Sequence, residues 1–168
     1  DIVALLVVEH QARAINLMTN AGWEVRKALQ QRPPAALQKT LQTTCEPLLA
    51  YLLMADETPL TETISGTSGF AEAFAKQGPF DAQGRSLRQL DLKQRLFRYR
   101  CSYLIYSEAF DALPNEARDY LYRRLWEVLS GKDASRRFAY LKSDERQAIR
   151  EILLATKKGL PAYWQKQG

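Results

Sequence analysis

Apolar positions recur at three- and four-residue steps along almost the whole chain, the spacing of helices that bury one face. From Ile2 to about Gln31 the inward set is Val3, Leu6, Val7, Ala14, Leu17, Ala21, Val25 and Ala28. That pattern predicts a helix of up to ~45 Å at about 1.5 Å rise per residue. Pro33 and Pro34 end it and open the next helix. The second helix is predicted over about Ala35 to Ala55, with Leu37, Leu41, Leu48, Leu49, Leu52 and Leu53 inward. Pro47 lies inside it and interrupts the hydrogen-bond ladder, because proline has no N–H to give.

Thr, Ser, Gly and Pro crowd residues 56–69, which read as a loop. Phe70, Ala71, Phe74 and Ala75 predict a short helix closed by Gly78 and Pro79, and Asp81 to Gly84 reads as a turn. The segment Cys101 to Tyr106 is aromatic and β-branched enough for a strand. Its neighbours Leu96, Tyr99, Tyr103, Tyr106 and Phe110 fit helical steps, so it is read as helix. Pro114 opens a further helix with Ala117, Tyr120, Leu121, Leu125, Val128 and Leu129 inward and Gly131 as its stop. A polar linker runs to Tyr140. The last helix has Ser143 as N-cap, Asp144 and Glu145 in its first turn, and Ala148, Ile149, Ile152 and Leu153 inward; Gly159 and Pro161 end it. These elements predict an all-α fold, an irregular bundle of five to seven helices forming one domain over residues 1–168.

Composition adds exclusions rather than a function. With 168 residues, 46% hydrophobic and 26% charged, the chain is neither a disordered tail nor a coiled-coil rod. The opening apolar run, Ile2 to Val8, is far short of the ~20 residues that span a bilayer, and it lacks the basic flank and cleavage site of a signal peptide. Opening inside an amphipathic pattern is what a piece of a longer chain would do. Charge is polarised: residues 1–84 hold 6 Lys/Arg against 9 Asp/Glu, and residues 85–168 hold 18 against 10. A basic second half favours an anionic partner. The ladder Asp119, Arg123, Glu127 at i, i+4, i+8 instead points to a solvated face paired within itself.

Catalytic templates fail for want of residues. His10 is the only histidine, no serine has Lys three residues on, and no P-loop, GxGxxG, HExxH or EF-hand pattern is present. Two cysteines, Cys45 and Cys101, are too few for a zinc site, and without CxxCH there is no covalent c-type haem. They are either buried thiols or one disulfide. His10 has apolar helical neighbours in Leu6, Val7, Ala14 and Leu17, so it faces the core or a pocket in it. Neutral imidazole there is a hydrogen-bonded core residue or a ligand to haem iron. Met18, two turns on, cannot meet the same iron from the opposite side on one straight helix. Arg95, Arg98 and Arg100, interleaved with Phe97, Tyr99, Tyr103 and Tyr106, form a basic-aromatic segment. Such a segment either packs its rings with Arg heads outward or stacks nucleic-acid bases.

The segments Asp1–Gln11, Cys45–Leu60, Gly66–Phe80 and Arg98–Pro114, and most specifically the block Arg95–Leu129, resemble the C-terminal part of exported bacterial proteins of unassigned activity. Some of those are loosely described as cytochrome-c-like. The resemblance covers essentially the whole chain and carries no catalytic residues with it. It implies a larger parent chain and a periplasmic or otherwise exported setting, cytoplasmic residence being the alternative. An exported setting would favour a Cys45–Cys101 disulfide. The resulting expectation is a non-catalytic accessory or protein-interaction domain of a larger assembly, without a membrane span. Its docking surface is expected at Arg95, Arg98 and Arg100 with Arg118, Tyr122 and Trp126 on the helix after Pro114. A haem-associated module using His10, and a nucleic-acid binder using Arg95–Arg100, are the alternatives.

Overall fold

A computed structural model describes residues 1–31 and 34–165. Among the described residues six α-helices follow in order: α1 (Ile2–Gln30), α2 (Pro34–Leu52), α3 (Phe70–Ala75), α4 (Glu108–Asp111), α5 (Asn115–Leu129) and α6 (Ser143–Thr156). Single 3-10 turns lie at Tyr103–Tyr106, Arg136–Phe138 and Ala162–Gln165. Among the described residues there is no strand, only a lone antiparallel bridge between Leu90 and Phe97. The fold is therefore an all-α irregular bundle.

Helix α1 packs chiefly on α2, α2 also meets α5, and α5 meets α6. The inward residues of α1 are Val3, Val7, Ala14, Met18, Ala21, Gly22, Val25 and Ala28, close to the set its periodicity predicts. Asp1 caps α1 through Oδ1, which accepts from the N–H groups of Val3 and Ala4 (2.9 and 3.2 Å). Oδ2 of the same side chain accepts from the N–H groups of Thr67 and Ser68 (both 2.9 Å), tying the helix start to the loop before α3. Pro33, expected to end α1, lies outside the described residues, while Pro34 opens α2.

Helix α2 ends at Leu52 rather than Ala55, in a tight left-handed exit. Met54 takes φ 58° and the Ala55 N–H reaches back to the Ala50 carbonyl (2.8 Å), the closure that a glycine normally provides. The thioether side chain is buried, and its burial offsets the roughly 1–2 kcal/mol of left-handed strain. From there the chain runs to Ser102 with only one short helix. This stretch is held by Leu60 N–H to Gln94 C=O (2.8 Å), Ile64 N–H to Leu92 C=O (2.9 Å) and Ser102 N–H to Leu52 C=O (2.7 Å).

Several sequence expectations need correction. Cys101 and Ser102 are not helical, and only Tyr103–Tyr106 makes a turn of 3-10 helix. The alternating rings there serve two sides of a crossing segment, so helical spacing misled. Ser143 is the first residue of α6, not its cap, and Lys142 holds the cap position. The Asp119–Arg123–Glu127 ladder is not formed: Arg123 lies over the Tyr163 ring (5.4 Å) and Glu127 pairs with Arg124 (2.6 Å). Cys45 and Cys101 are free thiols, both fully buried in the core, which is the first of the two alternatives the sequence leaves open. Burial pushes their ionisation up to about 11 and about 12, which leaves both protonated at neutral pH.

Candidate functional site

A cleft of about 470 Å³ opens between α1, the C-terminal half of α2 and the chain that leaves it. Its walls are Leu6 and Leu17 of α1, Pro47 and Tyr51 of α2, and Met54, Leu60 and Leu96. Pro47 gives no N–H to the carbonyl four residues back, so the helix is weakened where it borders the opening. His10 lies in this cleft, as its apolar neighbours predicted. Its ring stacks on Tyr51 (5.1 Å, 19°) and meets Phe97 at a tilt (5.0 Å).

Nε2 of His10 is 2.7 Å from Oγ of Ser102, a residue 92 positions away and 0% exposed. Ser102 Oγ also accepts the Leu104 N–H (3.2 Å). The buried hydroxyl has no other acceptor within reach among the described residues, so its proton is placed toward His10 Nε2, which assigns the neutral imidazole its own proton on Nδ1. Burial holds the His10 pKa down at about 4, so the ring is neutral at physiological pH. Nδ1 has no protein partner among the described residues and is not sealed from solvent.

Charged side chains ring the opening. Arg13 lies over the Tyr51 ring (5.2 Å) and has no carboxylate within ion-pair distance among the described residues. Asp56 and Arg137 pair with each other (3.4 Å). Glu57 accepts the Leu96 N–H at 3.4 Å, and burial raises its pKa. The Ser102–His10 pair is not a hydrolase dyad, because the Ser102 hydroxyl is enclosed behind the ring and does not reach the cleft. Nor do the residues fit a two-ligand haem site. Nε2 of His10 is committed to Ser102, and Met18 is in the core, its sulfur 3.9 Å from the Ser107 hydroxyl.

The expected docking residues are brought together only in part, and mostly for internal use. Arg95 and Arg100 converge on Glu145 of α6 (3.7 and 3.8 Å), and Arg100 also donates to the Tyr140 carbonyl (3.0 Å). They anchor the crossing segment to α6. Arg98 is exposed beside the Tyr99 ring (5.5 Å). Arg118 donates to the Asp111 carbonyl and to Asn115, closing the elbow between α4 and α5. Tyr122 is 5% exposed and packs on Phe110 (5.6 Å), so it is core. Trp126 is half-buried between Tyr163 (5.7 Å) and Lys132 (4.1 Å), and its Nε1 is sealed. Arg124, not Arg123, carries the structural charge on α5, bonding Glu46, Glu127 and Asp133 at 2.6, 2.6 and 2.8 Å.

The exposed apolar surface is elsewhere. Of six large hydrophobic side chains exposed among the described residues, five (Ile2, Leu5, Val8, Trp23 and Leu29) are on α1, and Phe80 is the sixth. Leu5, Val8, Ala12, Ile15 and Trp23 fall along the side of α1 opposite Val3, Val7, Ala14 and Val25, at about 100° per residue. Trp23 is 68% exposed. Leu5, Val8, Ala12 and Ile15 of this stripe were legible in the sequence as a second set of three- and four-residue steps, which polar Thr19 interrupts before Trp23. The Ser102–His10 contact had no local signal at all.

Among the described residues, no helix is long and apolar enough to cross a membrane and no group of three or more His, Cys, Asp or Glu is placed to hold a metal ion. Comparisons with protein-family models, with curated proteins and with solved structures find no match to this chain.

Proposed function

We propose that the chain is a non-catalytic accessory domain that docks a helix of another protein, or of a longer parent chain, along the outer face of α1. The observation that carries this reading is the concentration of exposed apolar side chains on that one helix, Trp23 at 68% exposure foremost. An α-helix apolar on two opposite sides normally has both covered. An amphipathic helix is the fitting partner, since Leu5, Val8, Ala12 and Trp23 offer anchors at helical spacing. The commitment of His10 to an enclosed serine supports the non-catalytic part. An exported setting rests on the sequence resemblance alone, since free thiols remove the disulfide as its support.

A photo-crosslinking amino acid at position 8 or 23, and at exposed Glu116 of α5 as control, tests the reading in the native cell. Positions 8 and 23 should trap the same protein segment, and Leu5→Asp should abolish both adducts. Adducts equal to those from position 116 would refute docking on α1.

A further inference from the structure

We infer that the His10 cleft is a binding site for a small zwitterion with an apolar body, of the class of apolar α-amino acids. This goes beyond the docking reading and does not depend on it. At about 470 Å³ the cleft falls within the range of about 300–1,000 Å³ usual for small-molecule sites, and amply holds one such molecule. Leu6, Leu17, Met54, Leu60 and Leu96 give it an apolar lining, which would take the side chain.

The polar groups decide the ligand's charge. Asp56 and Arg137 neutralise each other at 3.4 Å, and so contribute no net sign. Arg13 remains as a guanidinium held in place over Tyr51 without a carboxylate partner. His10 offers an N–H from Nδ1, fixed there by the Ser102 bond to Nε2. Those two donors suit a carboxylate, and the Arg can give it two parallel bonds. Glu9 and Glu57 line the same cleft, and Glu57 has spent only Oε1 on the Leu96 N–H. They suit an ammonium. A plain anion would face Glu9 and Glu57, and a plain cation would face Arg13. A molecule carrying both charges satisfies all of them. The His10 donor is also rigid, because its ring is clamped between Tyr51 and Phe97 and backed by an enclosed hydroxyl.

Titration calorimetry of the full chain with four probes tests this: L-phenylalanine, 3-phenylpropionate without the ammonium, phenethylamine without the carboxylate, and N-acetyl-phenylalanine amide without either charge. L-Phenylalanine should bind saturably, with each singly charged probe at least roughly fivefold weaker and the uncharged one weakest. Arg13→Gln should erase the gap between L-phenylalanine and phenethylamine, and Glu57→Gln the gap to 3-phenylpropionate. Both positions are partly or wholly at the surface, so folding is checked by the thermal melt. Leu17→Trp, which fills the cleft from α1, should abolish binding of all four. No saturable binding of L-phenylalanine up to about 10 mM, equal binding of all four probes, or either gap persisting in its variant overturns the assignment.

Discussion

Protonation of His10 should destabilise the domain, and the size of the effect follows from its surroundings. Burial against Tyr51 and Phe97 holds its pKa at about 4 in the folded chain, against an ordinary value of 6.5 once unfolded. Between those values the unfolded chain binds the proton and the folded one does not, so stability falls as pH drops from about 6.5 toward 4. At pH 4.5 the loss due to this one group is about 2–3 kcal/mol. Carboxylates titrate over the same range, so the variant His10→Gln supplies the reference. It keeps a polar atom within reach of Ser102 and removes the titration. Urea denaturation at pH 7.5 and pH 4.5 should show the parent protein losing about 2–3 kcal/mol more than His10→Gln between the two. Equal losses would mean that His10 protonates as freely folded as unfolded, and the clamped, neutral imidazole would be wrong.

Cys45 and Cys101 should resist a thiol reagent in the native state and both react on denaturation without reductant, since each is buried and protonated; no thiol titrating would restore the disulfide. Arg124→Met should cost about 2–3 kcal/mol in chemical denaturation, as three carboxylates lose their common cation. That is less than for a sealed pair, because 21% of the Arg124 side chain is accessible. Tyr122→Ala should destabilise by about 3–5 kcal/mol, while Trp23→Ala and Arg98→Gln each stay within about 0.5 kcal/mol. The reverse order in thermal melts would exchange core and surface.

The long-range part of this structure was unreadable for an identifiable reason. Helices α1, α2, α5 and α6 are each specified by residues within a few turns of one another, and most of their inward residues follow from period, Met18 and Tyr122 excepted. The stretch from Met54 to Ser102 is specified by partners far away in sequence: Leu60 on Gln94, Ile64 on Leu92, Arg95 and Arg100 on Glu145. Its aromatic residues fit helical steps by coincidence. Tyr103 faces His10 and Phe74, while the Tyr106 hydroxyl meets Thr156 of α6 (2.6 Å). Arg, Tyr and Trp are enriched at interfaces because they join an apolar body to a polar tip, and the same property suits them to knit a bundle internally. Residue type alone therefore could not separate the Arg95–Arg100 and Tyr122 roles from docking.

Helix α1 resolves the ambiguity because position around its axis, not residue type, sorts its functions. Val3, Val7, Ala14 and Val25 define the core side. Leu6, Glu9, His10, Arg13 and Leu17 follow at three- and four-residue steps on the flank that borders the cleft. Leu5, Val8, Ala12 and Trp23 occupy the outer side. The inward list drawn from sequence merges the first and second sets, taking Leu6 and Leu17 with Val3 and Val7, and leaves the third set out, so the helix looks ordinarily amphipathic. Separating them leaves an exposed apolar side on α1, a configuration that costs solubility unless something covers it. Glu9 and Arg13 lie between the cleft and the outer stripe, where polar side chains keep the two apolar surfaces from merging into one. Replacing both by alanine should therefore raise self-association at high protein concentration while leaving the thermal melt within a few degrees. Sedimentation velocity reads it directly, and a variant that stays as monodisperse as the parent would show that the two surfaces are insulated by something other than these charges.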